Sequence, residues 1–332
     1  MLPFIIRRFI NLIPTFLGAT FLAFIISQLV PGDFLNELRI RPDVRPETIT
    51  RLEREFGLDQ PWFVQYARWM SNLAQGNLGQ SFNSNQPVVN LIRRPIQNSM
   101  VLVVFSLILL WLIAIPLGVY SAVRQYSLGD QVVSVISYFG LAIPNFFFAL
   151  LLILCLFYLR SWTRNTFGFN QMLLPVAGMT SNNHEELSFL GRTLDILRHA
   201  ILPSFVVATS GIAGFTRVLR GQMLEFLSSD FIRTARAKGL GQRSVTYKHA
   251  LRPALIPFVA GIGGLLPGLI GGAGLVEIVM AWPGITPIML ASISRQDIYV
   301  VLGFLVISSL LLMVGNLLSD LLLAVVDPRI RY

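Results

Sequence analysis

FIRTARAKGLGQRSVTYKHALRPALIPF, Phe231–Phe258, sets six cations in a chain that is otherwise more than half hydrophobic. Before it lies Ile201–Leu219, and from its last residues onward runs Ala254–Ile278, both apolar and long enough to cross a bilayer. A Lys or Arg at the centre of a membrane helix costs about 3 kcal/mol, so the six together would cost about 18 kcal/mol, which the few apolar residues among them do not offset. The segment stays in water, and the runs beside it cross.

The whole chain shares that balance. Of its 332 residues, 54% are hydrophobic and 13% charged, against about a quarter charged in soluble domains. An ordinary soluble enzyme is excluded, and the expected fold class is an all-α integral membrane protein, because a helix satisfies its own backbone in lipid. Six transmembrane helices are expected: Phe9–Val30, Ser99–Val123, Val132–Leu159, Ile201–Leu219, Ala254–Ile278 and Tyr299–Val326. The first follows MLPFIIRR in the order of a signal peptide, but it exceeds the roughly 7 to 15 apolar residues of a cleavable core and lacks an A-x-A-like site, so it reads as a retained anchor. The single cysteine, Cys155, lies in the apolar run LLILCLFYL; it excludes an internal disulfide and leaves no thiolate cluster for a metal.

Six spans put both termini on one side, together with the turn near Arg124 and the Phe231–Arg252 segment. Cations are divided evenly between the two sides, but many on the far side sit in Pro31–Asn98, longer than the roughly 60 residues over which the positive-inside rule acts. Discounting them places both termini in the cytoplasm, against the four arginines of the Arg160–Ala200 loop. In the long external loop, RPETITRLEREFGLDQ predicts a helix with Pro46 in its first turn, Ile49, Leu52 and Phe56 on one face, and Gly57 as its stop. PWFVQYARWMSNLAQG predicts another, with Phe63, Ala67, Met70 and Leu73 or Ala74 inward and Gly76 ending it. These helices either cap the membrane bundle or dock an external partner.

Several chemistries lack their residues. There is no G-x-x-x-x-G-K-[ST], so no nucleotide site or other cofactor is expected on this chain, and no H-E-x-x-H. None of His184, His199 and His249 falls well inside an expected span. Ionisable residues within the spans are few: Arg217, Glu277 and Asp320, each near an end where it can snorkel or pair locally, with Glu277 the best placed to face a pathway. In GIGGLLPGLIGGAG, Gly264, Gly268 and Gly272 recur every four residues and form one face, suited either to close helix packing or to a moving gate helix. Pro257 and Pro267 invite bending of the same span.

Within the basic segment, Ser228, Ser229 and Asp230 offer N-caps, a helix is expected as far as Lys238, and Gly239 and Gly241 break it. A second helix over Arg243–Leu251 should stop by Pro253. A helix, a glycine corner and a helix would thus project from the membrane, slim enough at Ala235, Ala237 and Gly239 to enter a groove on another protein. From spacing alone, an ordinary positive-inside loop, a lipid or nucleic-acid patch and a plug for a partner all remain open.

The segment resembles the cytoplasmic loop of ABC-importer permeases, whose motif reads E-A-A, three residues, Gly, nine residues, I-x-L-P. Here Arg233, Thr234 and Ala235 fill the first triplet, Gly239 the glycine, and His249, Ala250, Leu251 and Arg252 the last four positions. RTARAKGL and HALR are similar to the dipeptide, oligopeptide and nickel subfamily, as are FIIRRFINLIPTFLGATFLAF with VPGD, FGLDQPWFVQY, GNLGQSF, IPLGVYSAV, AIPNFF, EIVMAWPGI and NLLSDLLLAVVDPRIR. Of the general motif only Ala235, Gly239 and Leu251 match, the other positions following the subfamily; elsewhere Asn77, where the family more often has Asp, and the Arg160–Ala200 loop, whose length varies in the family, depart.

The resemblance implies an ABC importer type I transmembrane domain over 95–326, preceded by an anchor and external helical region over 1–94, in a bacterial or archaeal inner membrane. It implies a homologous second permease, two ATP-binding subunits that carry ATP and Mg, an external solute-binding protein, surrounding membrane lipid and no nucleic acid. Thr234, Ala235, Arg236, Ala237, Lys238, Gly239 and Leu240 would then form the coupling helix within the 228–253 loop, and di- or oligopeptides or a related small solute would be carried. A self-sufficient channel or carrier, and a scaffold that moves no solute, are the alternatives from other classes.

Overall fold

The computed structural model describes residues 2–29, 35, 39, 46–167 and 174–326. Its longer elements are α1 (Leu2–Leu29), α2 (Pro46–Phe56), α3 (Trp62–Ala74), α4 (Val88–Val123), α5 (Leu128–Ala142), α6 (Asn145–Phe167), α7 (Phe189–Leu227), α8 (Asp230–Ala237), α9 (Ile256–Val279), α10 (Ile285–Ser294) and α11 (Ile298–Val326). The VPGD stretch at 30–33, residues 168–173 of the long loop and the closing motif beyond Val326 lie outside the described residues.

Among the described residues, five helices are long and apolar enough to cross a membrane: Ile10–Leu29 of α1, α4, α6, α7 and Ile298–Leu323 of α11. The 24-residue α9, whose one ionisable residue is Glu277, supplies the sixth expected crossing. The third crossing differs from expectation. Val132–Leu159 is not one helix: α5 ends at Ala142, Ile143 is extended at ψ 123°, and α6 begins at Asn145. Pro144 is the cause, since it has no amide to donate and drives the residue before it out of the helical region. The membrane-length piece is Asn145–Phe167, and Leu128–Ala142 is a separate apolar helix of 15 residues. The fourth crossing is longer than expected. At 39 residues, α7 extends about 58 Å at 1.5 Å per residue, roughly twice the hydrocarbon thickness, so it projects well past the bilayer.

The chain forms two compact units, Met1–Gln97 with Gly284–Val314, and Asn98–Pro283 with Gly315–Tyr332. In the first, α2 and α3 form as the periodicity predicts, with Gly57 at φ +68° and Gly76 at φ +78° as their stops. The inward face of α3 is rotated from the expected one. Trp69 is buried with Tyr66, Met70 and Leu73 packed beside it, while Phe63 is 57% exposed. The reason lies on α1, where Phe21 and Phe24 meet Tyr66 at ring-centroid distances of 5.4 Å each and Phe24 stacks on Trp69 at 6.0 Å. Aromatic pairs of this kind hold an orientation that apolar spacing alone leaves open. The side chains of Leu52 and Phe56 lie outside the described residues.

A buried carboxylate organises the other end of this unit. Asp297, 1% exposed, stands just before α11; it accepts from Ser81 Oγ at 2.5 Å, from the Phe82 amide at 3.2 Å and from the Asn83 amide at 3.3 Å. The turn at 81–83 is thereby fixed to the start of the last span. Close packing continues beside it, with a Cβ at Gly303 falling 2.8 Å from Val88 and one at Gly79 falling 3.0 Å from Tyr299. Asp297→Ala would strand the Ser81 hydroxyl and two amides, and is expected to cost about 3 kcal/mol and lower the thermal midpoint of the detergent-solubilised protein. Asp297→Asn, which keeps an acceptor, should lose less; equal midpoints for wild type and Asp297→Ala would refute the anchoring role.

Candidate coupling surface and transport path

The basic segment stays outside the apolar helices, with all six cations exposed. α8 starts at Asp230, whose carboxylate suits the positive end of a helix dipole, and Thr234 Oγ1 donates to the Asp230 carbonyl at 3.0 Å. Ser229 holds the N-cap position in extended conformation but does not cap, because its hydroxyl donates back to Phe226 O. The C-terminus has a definite geometry. Gly239, at φ +78°, donates to Arg236 O at 2.9 Å, and Leu240 donates to Ala235 O at 3.3 Å. These two bonds are the Schellman pattern, which needs a left-handed residue at the position of Gly239. No atom lies within 4 Å of where its Cβ would be, so the constraint there is conformational and the space beside it is open.

One face of α8 is seated. Ile232 and Ala235 are buried against Val119 and Ala122 of α4, Leu219 and Met223 of α7, and Val245, Ala250, Ala254 and Phe258. The opposite face, Thr234, Arg236, Ala237 and Lys238, together with Gly239 and Leu240, is exposed. Of the seven residues expected to couple, Ala235 is therefore the one turned inward, and the other six are presented. The second helix also departs from expectation. It runs through Gln242–Ser244, a wider π-helical turn at Val245–Ala250 and then Leu251–Ala254, carrying past Pro253 to end at Leu255. Pro253 lacks the amide that would bond four residues back, and a π turn is one way for a helix to absorb such a gap.

The residues expected along a pathway fall on α9. Gly264 is exposed, and among the described residues no atom lies within 4 Å of where its Cβ would be, so it makes no close-packed contact with them. The surroundings of Gly268 and Gly272 lie outside the described residues. Glu277 is 1% exposed and accepts from Ser99 Oγ of α4. Around it the chain closes a polar latch: Trp282 Nε1 donates to Asn98 O at 3.0 Å, Asn98 Nδ2 to Pro283 O at 2.8 Å, and the Gly178 amide to Met280 O at 2.9 Å. Sequence patterns indicated Glu277 but not its partner, which lies 178 positions away. Among the described residues no group of three or more His, Cys, Asp or Glu could hold a metal ion.

Helices long enough to cross a bilayer, joined to an exposed helical projection, define the class: a polytopic membrane protein. Residues 114–332 match the family described as binding-protein-dependent transport system inner membrane component, and residues 1–102 match its N-terminal counterpart. The chain belongs to that family, and is a membrane permease component of an ABC-type importer. It is 40% identical over 333 residues to the oligopeptide transport system permease protein AppB of Bacillus subtilis, covering 100% of both chains. It is 36% identical to the di/tripeptide transport system permease protein DppB of Pseudomonas aeruginosa and 34% identical to the dipeptide transport system permease protein DppB of Escherichia coli, covering 100% of this chain and 99% of each relative.

The seated and presented faces of α8 should separate under mutation. Ile232→Ala, which empties a fully buried site, is expected to cost about 3 kcal/mol and to expose the loop to limited proteolysis. Arg236→Ala, on the presented face, should change stability by less than about 0.5 kcal/mol. Comparable losses from the two variants would show that α8 has no such division.

Proposed function

We propose that the chain forms half of a translocation pathway for di- or oligopeptides, or for a related small solute such as a nickel chelate or a glutathione-like compound. A homologous second permease supplies the other half, two ATP-binding subunits dock on the 231–252 loop with their ATP and Mg, and an external solute-binding protein delivers the cargo. Both termini lie in the cytoplasm. Residues 1–94 form an anchor with external helices, and residues 95–326 form the transport domain, with the coupling loop at 228–253. The observation that carries this is α8: one side buried among the ends of α4, α7 and α9, the other presented to solvent. The printed names of the relatives support peptide as the cargo.

Physically, a helix fixed on one side by Ile232 and Ala235 transmits a push received on the other. ATP-driven closure of the docked subunits would displace Thr234, Arg236, Ala237, Lys238, Gly239 and Leu240, and the buried cluster would pass that displacement to α7 and α9. Alternating access then follows as the spans rock. Gly264, Gly268 and Gly272, on one face of α9, with Glu277 at its end, are assigned to the border of the pathway.

Gly239→Asp tests this directly. The variant strains the left-handed corner and adds a negative charge to a presented basic surface, and its Cβ would fall in open space among the described residues. It should remain in the membrane, lose uptake of labelled peptide, and no longer co-purify with an ATP-binding subunit that accompanies wild type. Wild-type uptake by Gly239→Asp would overturn the coupling role; normal subunit recovery with peptides not carried by the wild type would overturn the cargo alone.

A further inference from the structure

The two ends of α8 and the latch at Glu277 leave one polar site unused. Between the end of α4, α5 and the last third of α7 lies a cavity of about 260 Å³, lined by Ser121, Ser134, Ser137, Tyr138, Thr216 and Arg217, with Arg220 and Val133 completing it. Thr216, 2% exposed, has a hydroxyl that finds no hydrogen-bond partner among the described residues. A buried hydroxyl of this kind is a donor available to a ligand that enters the cavity.

The charges here do not cancel. Arg220 is spent on Asp130, donating from Nε at 2.7 Å and Nη2 at 2.8 Å, and the Tyr126 amide adds a third bond to that carboxylate at 2.9 Å. The guanidinium and the amide hold the Asp130 carboxyl well below the usual carboxylate range, so it stays ionised and saturated. Arg217 is left over. It lies over the Tyr138 ring, 5.4 Å from the centroid, and no carboxylate partner is found for it among the described residues. One net positive charge, a ring of hydroxyls and an unused buried donor make a site for an oxyanion.

A second cavity adjoins the first and is of opposite character. It has a volume of about 190 Å³, shares Val133, Ser137 and Thr216 with the polar one, and runs between Ile113, Leu117, Ile136, Phe205 and Ile212. Along its flank α5 exposes Val132, Val135, Ile136 and Phe139, each more than half exposed. A polar, cationic cavity continuous with an apolar groove in a membrane helix pair matches a molecule with a phosphate at one end and a hydrocarbon chain at the other. We propose that this composite site binds an anionic phospholipid, with its phosphate on Arg217 and Thr216 and an acyl chain along the groove between α5 and α7. The lipid belongs to the leaflet on the side from which α8 projects, and it ties α5 to the helix that carries α8. Basic pockets between membrane helices are known takers of anionic headgroups.

The test is native mass spectrometry of the permease, purified with whatever subunits accompany it and titrated with phosphatidylglycerol, phosphatidylcholine or inorganic phosphate. Wild type should retain phosphatidylglycerol, and Arg217→Gln should weaken it about tenfold or more, the value of a charge-assisted hydrogen bond. Arg217→Lys should recover most of that loss, while Arg198→Gln, which removes an exposed charge from the other end of the same helix, should leave binding unchanged. Equal retention by wild type and Arg217→Gln, or equal loss in Arg198→Gln, overturns the site. Displacement of the lipid by millimolar inorganic phosphate, dependent on Arg217, overturns the lipid and makes free phosphate the ligand.

Discussion

In hydrocarbon a backbone amide has no water to turn to, and this architecture depends on that constraint. It makes every crossing a helix, and it makes each break in a helix a place where something else must take up the loose groups. At Ile143–Pro144 the Ile143 amide still reaches Phe139 O and the Phe148 amide returns to Pro144 O, so two helices abut with little left unpaired. Near the break at Leu255, Ser319 Oγ lies 2.7 Å from Val259 O and 2.8 Å from Ala260 O, setting a hydroxyl of α11 against the opening turns of α9. The break at Pro144 thus bends the chain between two helices with little bare backbone.

The same economy governs charge. Among the described residues three buried carboxylates, Asp130, Glu277 and Asp297, stand at helix ends, and each is bonded by groups from another part of the chain. A charge in such a place is retained only when its lone pairs are filled, and removal of a partner leaves the whole cost of burial behind. These residues mark the joints rather than the middles of the spans. Among the described residues the middles carry no ionisable group suited to a coupling ion, in keeping with a permease component of an ABC-type importer.

Much of the architecture was legible because its signals are local. Apolar length marked the crossings, Gly57, Gly76 and Gly239 marked the stops, and the cations of the 231–252 segment kept it out of lipid. Pro144 carries a signal for the break, but hydrophobic length read from Val132 to Leu159 predicts one crossing and passes over it. What escaped were partnerships across distance. Nothing near Asp297 points to Ser81, nothing near Asp130 points to Arg220, and the turn of α3 toward Tyr66 and Trp69 depends on two phenylalanines of α1. In the coupling segment the periodicity of α8 predicted a helix but not which side would be seated, because Val119, Leu219 and Val245 reach it from three separate stretches.

The bond between Asp297 and Ser81 spans 216 positions of the chain. A ribosome adding about 5 to 20 residues per second needs about 10 to 40 s to pass from one to the other. Throughout that interval the first spans are already made while the turn at 81–83 lacks its acceptor. The amino-terminal unit is thus completed by one of the last segments to be synthesised, and until then its open turn depends on the insertion machinery or on neighbouring water for its hydrogen bonds. Assembly of this membrane protein closes from its end back onto its beginning.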